Sequence, residues 1–207
     1  MSEFSPVSSP FRTAKEREQD RAVKRDAVLR AAVRLFNERG FHSASLDDVA
    51  ASLGVTKPLI YHYLGSKDQV LFECVRIGLQ QLRDSVEISR THEGTGLERL
   101  KVFLRRYAEC IMDDFGRCVI RTSDEALRPD SRMQFRALKA EIDRAMSDLL
   151  EESVADGSGR VQNIKLTAFA YAGALNWPAR WHSPDGELET SEIAAQIVEI
   201  LVAGILP

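Results

Sequence analysis

Apolar positions recur every three to four residues in almost every long segment of this chain, and no segment shows sustained apolar–polar alternation. From about Arg21 to Arg39, Val23, Ala27, Val28, Ala31, Leu35 and Phe36 share one face opposite a row of arginines. This predicts an amphipathic helix, closed by Gly40, with Phe41 folding back onto the last turn. The run from Ser45 to Lys67, SLDDVAASLGVTKPLIYHYLGSK, predicts two short helices around a tight turn. Ser45 and Asp48 have capping-box spacing, and Leu46, Val49, Ala50 and Leu53 form the inner side of the first helix. Gly54 reverses the chain where a positive φ is needed, Thr56 caps the second helix, and Pro58 falls in its first turn, where no N–H is missed. Val55, either Leu59 or Ile60, and Tyr63 then point inward, leaving Lys57, Tyr61 and His62 outward. Ser66 and Gln69 begin a further helix that runs towards Ile88 through Val70, Leu71, Val75, Leu79 and Leu82.

Beyond the loop 89–96 the helical period continues. Leu97, Leu100, Leu104, Tyr107, Ile111 and Phe115 make one stripe, and Leu138, Ile142, Ala145 and Leu149 another. The segment 118–128 fits no single period, and Arg128-Pro129-Asp130 marks a break. Residues 161–182 are apolar nearly all round, which predicts a helix covered on several sides. After the turn at Ser183-Pro184-Asp185-Gly186, a last helix starts near Thr190 with Ile193, Ile197, Ile200, Leu201 and Ile205. The expected fold is all-α, with a three-helix N-terminal helix-turn-helix head and a helical ligand-binding and dimerisation domain. The expected divisions are a disordered N-terminal arm over 1–20, Ser- and Pro-rich in its first half, the head over 21–66 and the second domain over 67–207.

Charge sharpens this division a little. The whole chain carries −3, but from Arg12 to Arg76 there are 12 basic and 9 acidic residues, leaving 16 against 22 elsewhere. A front of +3 and a rear of −6 suit a protein that meets phosphate only with its front. No apolar run reaches the ~18 residues of a spanning helix and no signal-peptide core follows the N-terminus, so a cytoplasmic location without membrane contact is expected. Cys74, Cys110 and Cys118 lack CxxC spacing and read as small buried hydrophobes, with neither a disulfide framework nor a metal site.

The small Ala50, the turn glycine, the two caps and an outer face of Lys57, Tyr61 and His62 together predict a helix-turn-helix, whose second helix enters the DNA major groove. The run Ser45-x-x-x-Val49-Ala50, Gly54-Val55-Thr56 and Tyr61-x-Tyr63-Leu64-x-x-Lys67, preceded by Leu35-Phe36-x-x-x-Gly40-Phe41, resembles the DNA-binding signature of the TetR/AcrR repressor family over roughly residues 21–75. Leu64 stands where that signature has Phe, and Pro58 where a small residue is usual. Further on, Gly173-Ala174-Leu175-Asn176-Trp177-x-x-Arg180-Trp181 followed by Pro184-Asp185-Gly186 is similar to a C-terminal motif of an acyl-CoA-responsive subgroup that controls fatty-acid or steroid breakdown.

The DNA-contacting candidates are Ser45, Thr56, Lys57, Tyr61, His62 and Lys67. Lys57 heads the recognition helix, Tyr61 and His62 can hydrogen-bond phosphate, Tyr61 can also touch a thymine methyl, Lys67 lies beside a helix N-terminus, and Ser45 and Thr56 are hydroxyls at helix starts. The effector-binding candidates are Phe103, Tyr107, Arg121, Phe169, Asn176, Trp177, Arg180 and Trp181, aromatics interleaved with cations. An acyl chain needs an apolar tunnel, and CoA phosphates need Arg or Lys at its mouth, for which Arg180 is the first choice. The two C-terminal apolar helices predict a homodimer, which also suits paired half-sites, and the resemblance implies the same. His42, His62, His92 and His182 are scattered, and Ser158 lacks a strand–turn–helix context, so no enzyme activity and no cofactor are expected. The expected function is repression of transcription, relieved by an acyl-CoA of lipid catabolism. The rival inducer is a hydrophobic xenobiotic controlling an efflux system, for which a site apolar throughout would serve.

Overall fold

A computed structural model of the chain describes residues 13–207, and among them no strand occurs. Helix α1 (Ala14–Arg39) is started by Thr13, whose hydroxyl accepts from the Glu16 N–H while the Glu16 carboxylate accepts from the Thr13 N–H. The span expected as an arm is thereby shortened. Residues 14–20 are helical because this capping box begins the helix early, and residues 1–12 lie outside the described residues. The buried face of α1 also differs from expectation. Val23 is 68% exposed, whereas Val28, Leu29, Ala32, Val33, Leu35 and Phe36 are buried. The first three turns project past the head, so the apolar stripe begins only where α2 and α4 come alongside.

Helices α2 (Leu46–Leu53) and α3 (Lys57–Leu64) form the hairpin. Gly54 takes the left-handed conformation, φ 64° and ψ 30°, that reverses the chain after α2. The alternative between Leu59 and Ile60 is decided by the crossing angle: Ile60 is fully buried and Leu59 is 39% exposed. Helix α4 (Lys67–Arg90), capped by Ser66 and Gln69, leaves the head and enters the rear of the molecule with Val70, Leu71, Cys74, Val75, Leu79, Leu82 and Val86 on its buried side.

Helix α5 (Gly96–Met112) is the central post of the rear part, packed by α4, α6, α7, α8 and α10. Its Leu100, Phe103, Leu104, Ala108 and Ile111 are fully buried, each of the large ones stabilising by ~2–3 kcal/mol. The stripe that joined Ile111 to Phe115 is interrupted. The Asp113 carboxylate accepts from the Phe115 N–H at 3.2 Å and starts a separate helix, α6 (Asp114–Arg121). Gly116 makes this reversal possible, because a Cβ there would collide with the Cys110 carbonyl oxygen. A short 3-10 turn (Asp124–Ala126) leads to α7 (Pro129–Ala155), with Pro129 at its first position. The loop after α7 clamps the start of α5: the Gly96 N–H donates to the Asp156 carboxylate and the Leu97 N–H to the Ser158 hydroxyl.

The segment expected as one helix over 161–182 is two. Asn163 caps α8 (Ile164–Asn176), and Pro178 begins the single-turn α9 (Pro178–Trp181). Helix α10 (Thr190–Ala203) packs on α5 and α8. The chain itself covers only one side of this pair. Ala168, Tyr171, Leu175, Ala194, Val198 and Val202 are buried, while Leu166, Phe169, Trp177, Trp181 and Ile200 are left exposed. No helix among the described residues is long and apolar enough to cross a membrane.

Candidate functional site

The head buries Val28, Leu29, Ala32, Val33, Val49, Ala50, Ile60 and Leu64, and this core fixes what α3 presents to solvent. Lys57, Leu59, Tyr61 and His62 all lie exposed on α3, and Thr56 is exposed at its start. Lys57 Nζ forms an ion pair with Asp47 Oδ2 at 2.8 Å and stands 5.9 Å from the Tyr61 ring centre. The Asp47 hydrogen bond, then its charge, holds the Lys57 ammonium above its ordinary pKa. The His62 ring sits edge-on to Tyr63 at 5.4 Å. Thr56 occupies the cap position of α3, but its hydroxyl makes no capping bond. Ser45, in contrast, spends its hydroxyl locally: it donates to Asp48 Oδ2 at 2.7 Å and accepts from the Asp48 N–H. Ser45 can therefore offer phosphate its cap geometry rather than a free hydroxyl.

Lys67, at the first position of α4, reaches back across the head. Its Nζ donates to the His42 carbonyl at 3.3 Å and lies 4.4 Å from the Phe41 ring centre. Leu59 and Asp47, both on this face, were not among the sequence candidates. Leu59 was equally acceptable as core until the crossing was known, and Asp47 reads in sequence simply as a first-turn acid of α2.

Head and rear part meet along α1 and α6. Arg34 Nε donates to Asp114 Oδ2 at 2.9 Å, Asn37 Nδ2 donates to the Asp114 carbonyl at 2.8 Å, and Arg121 donates to the Asn37 carbonyl. Arg30 lies over the Phe115 ring at 5.5 Å. Asn37 is a buried polar residue that sequence reasoning missed. Its only signal is its place on the buried face, four residues after Val33 and eight after Leu29. Along α4, the crossing with α6 is closed by Gly78, where a Cβ would come within 2.6 Å of the Phe115 carbonyl oxygen.

The eight effector candidates do not converge on one site. Phe103 and Tyr107 are core residues of α5, edge-to-face at 5.8 Å, and the buried Tyr107 hydroxyl donates to Asn176 Oδ1 at 3.0 Å. Burial, then the nearby Asp143 charge, raises the Tyr107 hydroxyl above its usual range. Trp177 and Trp181 line an apolar groove of about 460 Å³ with Gly173, Pro178, Ile197 and Leu201. Phe169 faces a different groove, against Lys165, Met146 and Asp143. Arg121 and Arg180 line a cavity of about 370 Å³ under the head. The candidates sit on four separate helices, α5, α6, α8 and α9, and at the last of these Pro178 breaks the helix after Asn176, so Arg180 and the two tryptophans turn to different neighbours.

The three cysteines serve packing. Cys74 and Cys118 are buried and Cys110 nearly so, and burial raises the Cys110 and Cys118 thiols to about 12 and about 11 and pushes Cys74 well up. His182 is buried, with Nδ1 3.1 Å from Arg117 Nη2 and Nε2 3.3 Å from the Thr190 hydroxyl. Desolvation, then the Arg117 charge, lowers its pKa. Among the described residues no group of three or more His, Cys, Asp or Glu is placed to hold a metal ion.

Comparison with known proteins agrees with this division of labour. Residues 28–74 match the family described as bacterial regulatory proteins, tetR family, and residues 93–205 match the tetracyclin repressor-like C-terminal domain. The HTH-type transcriptional repressor KstR2 of Mycolicibacterium smegmatis is 29% identical over 188 residues, 89% of this chain and 91% of that protein. The crystal structure of the TetR family transcriptional regulator PfmR from Thermus thermophilus superposes with a TM-score of 0.77 at 27% identity, covering 85% of this chain and 97% of PfmR. AibR, solved in complex with isovaleryl coenzyme A and operator DNA, superposes with a TM-score of 0.75 at 24% identity over 86% of this chain and 98% of its own. With the helix-turn-helix head at one end and the helical C-terminal part matched over residues 93–205, the chain belongs to the tetR family of bacterial regulatory proteins, DNA-binding regulators rather than enzymes.

Proposed function

We propose that the chain is a homodimeric transcriptional repressor that releases its operator when an acyl-CoA thioester binds the rear domain. The observation that carries the DNA half is the outer face of α3. Ile60 and Leu64 are its buried residues, and Lys57, Leu59, Tyr61 and His62 face outward, where a major groove can take them. In this reading Lys57 and Tyr61 approach base edges, while His62, Lys67, Thr56 and the capped N-terminus of α2 at Ser45 hold phosphates. The head comprises residues 21–66, and α4 carries its position back into the rear domain.

Self-association is supported by the exposed face of α8 and α10. Ile200 is 73% and Trp177 64% exposed on otherwise apolar ground, the kind of surface that monomers rarely leave bare. A second copy related by a two-fold axis would cover it and set two heads for two half-sites.

For the effector, the groove beside Trp177 and Trp181 offers about 460 Å³ between apolar walls, suited to a hydrophobic chain, and a second copy would close it from the open side. Those walls would equally suit a hydrophobic xenobiotic. The acyl-CoA reading is favoured by the cationic Arg121 and Arg180 on the cavity under the head and by the likeness of fold to AibR, itself solved with isovaleryl coenzyme A. The test is band-shift binding to the gene's own upstream region at fixed salt. Release by a long-chain acyl-CoA, but not by CoA alone, is the expected result. Release only by a hydrophobic cationic dye would transfer the reading to the efflux alternative, and binding that neither disturbs would remove both effectors.

A further inference from the structure

The cavity between head and rear domain has walls from both. Phe36 and Asn37 of α1 and Gly40, Phe41 and His42 of the following loop form one side, while Cys118 and Arg121 of α6, Thr122, Ser123 and Arg180 of α9 form the other. Its electrostatics are unbalanced. Arg121 donates to two carbonyls, of Ala179 and Asn37, and Arg117 to the carbonyls of Met112 and His182. Neither guanidinium meets a carboxylate among the described residues, and the Arg180 side chain has neither an ion pair nor a hydrogen bond among them. The acids nearest in sequence are committed elsewhere, Asp114 to Arg34 and Asp124 to Arg136. Burial, then the like charges of Arg117 and Arg180, depresses the Arg121 pKa, so an anion here would relieve an existing repulsion. The Thr122 and Ser123 hydroxyls stand on the same wall as additional donors.

We propose that this cavity is a phosphate-ester binding subsite, with Arg180 and Arg121 as its cationic ligands, and that its occupant bridges the head and the rear domain. The identification of the phosphate's bearer as the CoA part of the effector rests on the reading above; the subsite itself does not. The consequence for DNA follows from His42. This residue lines the cavity, and its backbone carbonyl accepts the hydrogen bond of Lys67, the phosphate-facing lysine at the head of α4. Phe41, beside it, lines the cavity and holds the Lys67 ammonium against its ring. An anion drawn between Arg180 and the loop 40–42 would therefore bear directly on the backbone that places Lys67. Effector binding would then reach the DNA face locally as well as through the lever α4.

The test is calorimetric titration of the full-length protein and of Arg180→Gln with three probes: palmitoyl-CoA, the phosphate-free thioester S-palmitoyl-N-acetylcysteamine, and adenosine 3′,5′-bisphosphate. The Arg180 side chain is exposed and, among the described residues, unpaired, so the variant should keep its melting temperature, and Arg180→Lys should restore part of the binding. The expected result is a loss of about tenfold or more for palmitoyl-CoA and for the bisphosphate, with the phosphate-free thioester unchanged. Palmitoyl-CoA binding unaffected by Arg180→Gln would overturn the subsite and leave the acyl-CoA reading standing. Arg180-dependent binding of the bisphosphate, with no binding of either thioester, would keep the subsite and overturn the acyl-CoA reading. Binding of none of the three would overturn both.

Discussion

Lys57 and Asp47 form an ion pair, 2.8 Å between Nζ and Oδ2, that ties the start of the recognition helix to the helix before it. Both side chains are more than half exposed, so the pair adds little to folding, and its importance is for DNA. In the proposed reading it parks the lysine and places a carboxylate on the face turned to phosphates. Asp47→Asn should therefore tighten operator binding by about two- to fivefold. Lys57→Gln should weaken it by about tenfold and make the salt dependence shallower by about one counterion. Fluorescence anisotropy with labelled operator at several salt concentrations reads both; weaker binding by Asp47→Asn would mean that the pair positions Lys57 rather than restrains it.

Gly78 sets how closely the lever approaches α6. A methyl group there meets backbone atoms of Phe115, which cannot move aside as a flexible side-chain end would. Gly78→Ala should cost about 1–3 kcal/mol. For a chain of this size that corresponds to a fall in melting temperature of roughly 2–4 °C for each kcal/mol, readable by calorimetry. Because α4 also carries the head, operator affinity should fall at temperatures well below the melt.

The exposed ridge of α8 and α10 predicts the assembly state. Ile200→Glu puts a charge at the centre of an apolar face, where a buried unpaired carboxylate is strongly disfavoured. The variant should elute as a monomer by size-exclusion chromatography with light scattering, keep its helical circular dichroism, and lose most of its affinity for a two-half-site operator. A dimer of unchanged strength would place the interface elsewhere on the surface.

His182 makes stability depend on pH in a known direction. Its folded pKa lies below the ordinary value of 6.5, through burial and then Arg117, so the unfolded chain takes up this proton first as the pH falls. Its stabilising contribution is complete above about pH 6.5 and is lost progressively as the pH drops from there towards the lowered folded pKa. Urea unfolding between pH 7.5 and 5 should show a decline that His182→Gln flattens. The Gln variant should be less stable at pH 7.5, because the contacts with Arg117 and Thr190 are weakened.

Tyr107→Phe offers a clean view of the rear core. It removes a single oxygen and leaves the Asn176 carbonyl without its partner inside the packed domain. The cost should be about 1–3 kcal/mol, seen as a lower urea midpoint with an unchanged slope. No change in midpoint would mean that Asn176 finds water instead.

Much of this protein was determined by local pattern alone. The capping pairs Ser45–Asp48 and Ser66–Gln69, the left-handed Gly54 and the outward set Lys57, Tyr61 and His62 depend on residues within a few positions of one another. Such interactions can be read from spacing, because the helix itself brings the partners together. Where two answers satisfied the same period, the packing of distant elements decided. Ile60 rather than Leu59 turns inward because α1 and α2 approach from that side. Val23 stays wet because no described element lies beside the first turns of α1. Phe115 leaves the stripe of α5 because Gly116 lets α6 fold back on Cys110. The effector candidates show the same limit more sharply. Aromatics and arginines that share one chemistry in the sequence are divided by the packing of α5, α6, α8 and α9 among the core, two open grooves and the cavity beneath the head, where Arg121 meets Asn37 across 84 positions of chain. Periodicity records which side of a helix is apolar; only the tertiary structure decides what stands against that side, because the partner is chosen by long-range packing and not by the residues next door.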